Sequence, residues 1–219
     1  MSITVIAPAY YQSLYPVRYL VESAKRHGVD IYWYGLGKSY TDWFNIQLID
    51  ILELLPSIKS THVLYTDASD AILLGNLAEI NTKYLLLDQQ PILLSRERSG
   101  ICAGGWIAEK QALKEALEWL VFRMDKFDIG PDPRNPQERW RYGVESGELR
   151  KWLGFTPAVD EKSEIFQVVD EPLEIKDGRV YNPRTNRYPS IIHFAGGYSD
   201  PQVGKYEIMK DYLIGLGYD

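Results

Sequence analysis

Apolar and polar positions fall into blocks along this chain, and the spacing within each block predicts an element. Ile3 to Ala7 is a short apolar run broken by Pro8, the pattern of a core strand, with Pro8-Ala9-Tyr10-Tyr11 as a loop at its carboxyl end. Val17 to His27 places Tyr19, Leu20, Val21 and Ala24 at helical spacing, with Lys25-Arg26-His27 in its last turn and Gly28 behind it. Cations at the carboxyl end of the helix dipole and a glycine beyond it are a helix stop. Asp30 to Tyr34 predicts a second strand, ended by Gly35-Leu36-Gly37. Strand, helix, strand at the start predicts a parallel βαβ unit. Trp43 to Leu55, with Ile46, Leu48, Ile49, Ile51 and Leu52, predicts a helix closed by Pro56.

The run His62-Val63-Leu64-Tyr65-Thr66 is apolar, β-branched and aromatic, and predicts a buried strand. Asn76 to Asn81 reads as a short helical turn, and Leu85–Leu87 and Ile92–Leu94 as further strands. Glu109 to Phe127 predicts a long amphipathic helix with Ala112, Leu113, Ala116, Leu117, Leu120, Val121 and Met124 inward. Asp128 to Gln137 is a loop rich in proline and charge, and Trp140 to Trp152 a helix carrying Glu145 and Glu148. Ile165 to Val169 predicts a strand, Asp177-Gly178 a hairpin turn within Leu173 to Asn182, and Pro189 to Phe194 an apolar run that contains His193. No repeat or linker divides the pattern, so the expectation is one α/β domain over residues 1–219.

That length can bury a core without staples, and the single cysteine, Cys102, excludes an intrachain disulfide and fits a reducing compartment. The opening Met-Ser-Ile-Thr-Val-Ile-Ala-Pro lacks the build of a secretory leader, and no apolar run is long enough to span a bilayer. A cytoplasmic, non-membrane protein is expected. A net charge of −6 gives no global pull toward nucleic acid, although Arg134, Arg139 and Arg141 form a local basic cluster.

The chemistry begins where the third strand stops. Asp67 and Asp70 sit three positions apart at the carboxyl end of a predicted core strand, where sites form in open α/β sheets. Two carboxylates on a short turn suit a hard divalent cation that also binds phosphate oxygens. The plain structural role for such a pair is a helix cap or an Asx turn. The small residues of Gly100-Ile101-Cys102-Ala103-Gly104-Gly105 allow close backbone approach, to a ligand or to another strand.

Taken together, Pro8-Ala9-Tyr10, Tyr34-Gly35-Leu36-Gly37, Tyr65-Thr66-Asp67-Ala68-Ser69-Asp70, Ile92 to Glu97, Ala103-Gly104-Gly105-Trp106-Ile107, Val159-Asp160 with Ile165-Phe166-Gln167, and His193-Phe194-Ala195-Gly196 occur in a telling order. The chain resembles, over nearly its whole length, the glycosyltransferase domain of procollagen lysyl hydroxylases and related collagen-type glycosyltransferases. The resemblance implies a single GT-A, Rossmann-like domain with a mostly parallel mixed sheet flanked by helices. It also implies transfer of a hexose from a UDP-sugar to a hydroxyl, with Mn²⁺ or Mg²⁺. Asp67, Asp70 and His193 are the metal ligands it implies. Pro8, Ala9 and Tyr10 match the uridine-binding strand end, Tyr40 a tryptophan that stacks on uracil, and Ser69 a tyrosine on the base's other face. Gly104 and Gly105 match the turn near the donor sugar, and Gly196 and Lys205 the segment that meets the diphosphate.

This sequence departs from the family at two places. Cys102 replaces an asparagine, and Val144-Glu145-Ser146-Gly147-Glu148 stands where an Asp-Asp-Gln segment lies near the reacting centre. Glu145 or Glu148 is the candidate carboxylate for the acceptor, with an exposed helix face as the plain alternative. The lysyl hydroxylase part of that architecture does not fit in 219 residues, so a bacterial or viral enzyme is expected. Its acceptor could be hydroxylysine on a protein, a hydroxylated DNA base, a glycan or a lipid. Two other classes stay open: a non-catalytic nucleotide-sugar-binding module, and a metal-dependent phosphohydrolase using the same carboxylates.

Overall fold

The computed structural model describes residues 1–14, 17–38, 43–98, 100–124, 135–195 and 205–218; for 43–46 and 205–209 this covers the backbone. In chain order the first half contains β1 (Ile3–Pro8), α1 (Arg18–Arg26), β2 (Ile31–Tyr34), α2 (Trp43–Leu54), β3 (His62–Thr66), β4 (Ala71–Leu73) and α3 (Leu77–Leu86). Then come β5 (Ile92–Glu97), β6 (Gly100–Glu109), α4 (Lys110–Phe122), α5 (Pro136–Glu145), α6 (Glu148–Leu153) and β7 (Ala158–Val159). The chain ends with β8 (Phe166–Val168), β9 (Glu174–Lys176), β10 (Arg179–Tyr181), β11 (Ile191–His193) and α7 (Lys205–Gly215).

The main sheet has six strands in the order β2-β1-β3-β6-β5-β7, and β6 alone runs against the rest. Side chains alternate across it. Ile6, Val63, Tyr65, Leu94 and Trp106 pack on one face against Leu48 and Ile51 of α2, Leu113 and Leu117 of α4, and Trp140 of α5. Val5, Ala7, Leu64, Leu93 and Ile107 pack on the other against Leu20 of α1, Ile80 and Tyr84 of α3, and Phe166 and Ile191. Burial on both faces is why β1 and β3 read as unbroken apolar runs. This is the expected mixed α/β architecture, with a mostly parallel sheet flanked by helices.

A second sheet of three strands, β4-β11-β8, lies beside it, with β11 antiparallel to β4 and parallel to β8. Ile72, Ile192, Phe194, Leu213 and Tyr218 form a separate apolar cluster that seats α7. Buried Ser23 ties α1 to this sheet: its hydroxyl donates to the Leu20 carbonyl at 3.1 Å and accepts from the Leu73 amide at 3.0 Å. Among the described residues no helix is long and apolar enough to cross a membrane.

Several expectations are corrected by the structure. Leu85 and Leu86 end α3 rather than form a strand, and the turn expected over Asn76 to Asn81 is the start of that helix. The Asn76 side chain accepts from the Glu79 amide at 2.9 Å and caps it, while Ile80 and Tyr84, four apart, are its buried face. The helix expected to reach Phe127 stops at Phe122. Of the loop expected over Asp128 to Gln137, residues 128–134 lie outside the described residues, and its end is helical. Asn135 accepts from the Gln137 amide at 2.9 Å and Pro136 takes the first helical position, a start signal that composition alone disguised as loop. Trp140 to Trp152 is two helices, because Gly147 sits at φ 73° between them. Asp177-Gly178 does turn the hairpin of β9 and β10, both residues at positive φ.

Asp160 fixes the passage from the main sheet to the small one. Its amide donates to the Leu94 carbonyl at 2.8 Å, and its carboxylate accepts from the amides of Glu164, Ile165 and Phe166 at 2.8–2.9 Å. Burial pushes this carboxyl above its usual range even against those three N–H groups, so the acceptor geometry matters more than the charge. Asp160→Ala, which strands buried amides, is expected to lower stability by about 3 kcal/mol and Asp160→Asn by about half that, read from urea unfolding midpoints. Equal losses in the two variants would refute this account.

Candidate metal centre

The turn from Asp67 to Asp70 is where the chain leaves the main sheet for the small one. The Asp67 amide donates to the Gly104 carbonyl of β6 at 2.8 Å, which keeps it in line with β3. Three residues later the Asp70 carbonyl accepts from the Phe194 amide at 2.7 Å, and Ala71 stands opposite His193 in the β4–β11 pair. Two ladders thus aim Asp67, Asp70 and His193 at one point. One ligand atom from each lies within 4.8 Å of the others.

His193 Nε2 is 3.3 Å from Asp67 Oδ2 and 3.4 Å from Asp70 Oδ1. It is buried and has hydrogen-bond geometry to neither, nor to any other described group. Nδ1 lies 3.4 Å from Cys102 Sγ. A proton on Nδ1 can point at that sulfur, which leaves Nε2 on the side of the two carboxylates. Burial by itself lowers the His193 pKa, but Asp70, the Cys102 thiol and Asp67 together hold it well above the usual imidazole value. Burial likewise pushes the Asp67 carboxyl up, yet His193 and the Tyr65 hydroxyl more than offset it and hold it below its usual range. Close carboxylates favour a proton on the imidazole between them. The same three atoms suit a divalent cation once that proton leaves. The orphaned Nε2 and the mixed oxygen and nitrogen donor set both fit one.

Three neighbours make the cluster possible. Tyr65 Oη donates to Asp67 Oδ1 at 2.5 Å and in turn accepts from Gln47 Nε2, so the other carboxylate oxygen is left facing His193. The Tyr65 ring stacks on Trp106 with centroids 5.0 Å apart. Gly104 leaves room: a Cβ there would stand 2.2 Å from His193 Cε1 and 2.7 Å from Asp67 Oδ2. Gly105 gives the same clearance to the Phe166 ring. The close approach expected of these glycines is thus to the triad and to β8. Tyr65 was not singled out from the sequence, although alternation along β3 puts residues 65 and 67 on one side, which was the available signal.

Three of the other candidates stand at the carboxyl end of β1. Pro8 closes β1, and Ala9 and Tyr10 follow it, both buried, with the Ala9 amide on the Tyr34 carbonyl and Tyr10 Oη donating to Asp50 at 3.0 Å. Ser69 is partly buried within the Asp67–Asp70 turn. Tyr40, Gly196 and the Lys205 side chain lie outside the described residues. Glu145 is exposed at the end of α5, near Gly100, where a Cβ would lie 3.5 Å from Glu145 Oε1. Gly100 is four residues from Gly104 along β6, roughly 13 Å. Glu148 opens α6 and is paired with Lys151. Neither glutamate is among the ligand atoms that cluster with Asp67, Asp70 and His193. In the expected basic cluster, Arg139 donates to the Leu120 carbonyl and Arg141 pairs with Glu138 and Glu97, while Arg134 lies outside the described residues.

A hydrogen bond that orients a ligand commonly contributes about ten- to a hundredfold in metal affinity. Tyr65→Phe is therefore expected to weaken Mn²⁺ binding by about tenfold or more with the stacked core kept, measured by EPR titration. Gly104→Ala is expected to abolish it, since the new methyl occupies the space of the His193 ring. Unchanged Mn²⁺ affinity in both variants would show that the triad does not hold the ion.

No family model matches this sequence, and no curated protein matches it either. Solved structures do resemble it in fold. A glycosyltransferase involved in the glycosylation of the major capsid of PBCV-1 is 15% identical, with a TM-score of 0.59, over 96% of this chain and 100% of that one. The apo form of the glycosyltransferase GlyE from Streptococcus pneumoniae TIGR4 is 14% identical, with a TM-score of 0.54, over 99% of this chain and 62% of that one. The chain therefore shares the fold of these solved glycosyltransferases, and it carries an Asp-Asp-His cluster at the carboxyl end of β3 that could hold a divalent cation.

Proposed function

We propose that this protein is a metal-dependent glycosyltransferase that moves a hexose from a UDP-sugar to a hydroxyl acceptor. The observation that carries the reading is the convergence of Asp67, Asp70 and His193, with His193 Nε2 buried and unbonded, in a glycosyltransferase-like fold. On this reading the three residues would hold Mn²⁺ or Mg²⁺, which when bound supplies positive charge against the diphosphate of the departing UDP. Asp67 would hold the ion through the oxygen not engaged by Tyr65, and His193 through Nε2, with Nδ1 on the side of Cys102.

The nucleotide would lie at the carboxyl end of β1, along Pro8, Ala9 and Tyr10, because that end adjoins the end of β3. Ser69, Gly104 and Gly105 would border the same space on this reading. Tyr40, Gly196 and Lys205 remain assigned to the donor from the resemblance to the collagen-type enzymes. Glu145 is the better placed of the two glutamates for the acceptor side, since Glu148 is committed to Lys151. A cytoplasmic setting in a bacterium or virus suits the lone, buried Cys102.

Neither glutamate belongs to the Asp67–Asp70–His193 cluster, which keeps one rival in play, a module that binds a nucleotide-sugar without turning it over. The assay that separates them is UDP release from UDP-glucose and UDP-galactose. Release should require Mn²⁺ and fall by about a hundredfold or more in the Asp67→Asn, Asp70→Asn double variant, the scale of a lost charge clamp. Metal-dependent UDP binding without release would establish the module instead. Inorganic phosphate as the product would identify a phosphohydrolase.

A further inference from the structure

A cavity of about 380 Å³ opens between the tip of the β5–β6 hairpin and the loop after β8, lined by Arg96, Arg98, Gln167, Asp170, Glu171 and Arg184, with Glu97, Ser163 and Pro172 completing it. It is outside the triad yet next to it. Val168 stands opposite His193 in the β8–β11 pair, and the Val169 amide donates to the His193 carbonyl at 2.8 Å. Gln167 and Asp170 flank those two residues, so the backbone of one cavity wall runs one strand spacing, roughly 5 Å, from the backbone of His193. Any hydroxyl that attacks a sugar held at the triad has to approach from a space adjoining it.

We propose that this cavity is the acceptor subsite and that its occupant is a carbohydrate. The inference rests on the donor-site reading above for its role and on the lining for its chemistry. Three guanidinium groups face three carboxylates across the wall, so donors and acceptors are mixed and the charges offset one another. Sugar hydroxyls donate and accept at once, which such a wall satisfies from both sides. A phosphate backbone needs an excess of cations, and here Arg184 is paired with Glu171 and Arg96 with Glu161 at 2.7 Å. A nucleobase needs an aromatic platform and a lipid an apolar wall. Among the lining residues there is no aromatic ring, and Pro172 is the one apolar side chain. The volume lies at the low end of the range of about 300–1,000 Å³ for small-molecule sites, which suits the end of a glycan.

The wall is also held in place before any ligand arrives. Asn182 Nδ2 donates to Gln167 Oε1 and Glu171 Oε1, both at 2.6 Å, and Gln167 Nε2 donates to the Val168 carbonyl at 2.6 Å. Asp170 Oδ2 accepts from the Arg98 amide, which docks the hairpin tip on the loop. Among the described residues the Arg98 guanidinium has no ion-pair partner, and it is the cation left to meet the ligand.

Saturation-transfer NMR tests this directly. The probes are the methyl glycosides of glucose, galactose, mannose, xylose, fucose and N-acetylglucosamine, in both anomers, against wild type, Arg98→Ala and Asp170→Asn. At least one glycoside should receive saturation from wild type and lose it, or weaken at least about tenfold, in both variants. Mn²⁺ titration of the variants, unchanged from wild type, serves as the check that each is folded with an intact triad. No transfer to any glycoside, or transfer equal in all three proteins, overturns the proposal. A UDP-release assay on the same samples adds a hydroxylysine peptide and a duplex containing 5-hydroxymethylcytosine. Stimulation by one of these and by no glycoside also overturns it. Glycoside binding with no metal-dependent UDP release would instead leave the cavity assigned and sink the donor-site reading.

Discussion

Two carboxylates aimed at one point repel each other, and that repulsion is the constraint around which the structure is arranged. Asp67 and Asp70 cannot sit beside each other partly buried unless something positive stands between them. His193 supplies it, from a strand more than a hundred residues away, and the centre is left one step from a cation site. Tyr65 takes one oxygen of Asp67, Cys102 receives one face of the imidazole, and Gly104 keeps clear the space the ring occupies. Each neighbour limits what the three groups can do other than face one another.

That arrangement needs two sheets. A D-x-x-D turn within a single ladder would send its side chains to alternating faces. Here the chain changes partner in the middle: Asp67 is tied to β6 of the main sheet, and Asp70 to the end of β11 in the small one. The main sheet is held rigid by apolar packing on both faces, and the small one by its packing against α1 and α7 and by the loop that Asp160 pins. The catalytic geometry on the proposed reading is thus a packing property. A small shift of one sheet relative to the other would part the ligands while leaving each sheet intact.

The two sides of the proposed site are built differently. The donor side is formed by strand ends and a turn, positions set by the backbone of the fold, and it is there that order along the chain resembles a known family. The acceptor side is formed by the tip of the β5–β6 hairpin, the loop after β8 and the Asn182–Arg184 turn, where side chains carry the chemistry. A backbone shared at 14–15% identity says nothing about those side chains, so the acceptor has to be argued from the cavity itself.

The sequence by itself determined β1, β2, β3 and β5, the helices α1, α2 and α4, the Asp-Gly hairpin and the placing of two aspartates at a strand end, because each is a local pattern of spacing or turn chemistry, whereas the glycine-rich β6 read as a turn or a close approach. It misled where two local signals compete: three leucines outweighed the Asn76 cap, and the Asn135-Pro136 helix start was hidden in a loop-like composition. His193 could be joined to the aspartates before the structure only through the family resemblance, since 123 residues separate it from Asp70 and no periodicity links them. Tertiary structure alone decided the change of sheets within the Asp67–Asp70 turn, the Tyr65 and Cys102 contacts and the reason Gly104 lacks a side chain. These depend on which strand lies beside which, and strand neighbours are chosen by the packing of the whole core.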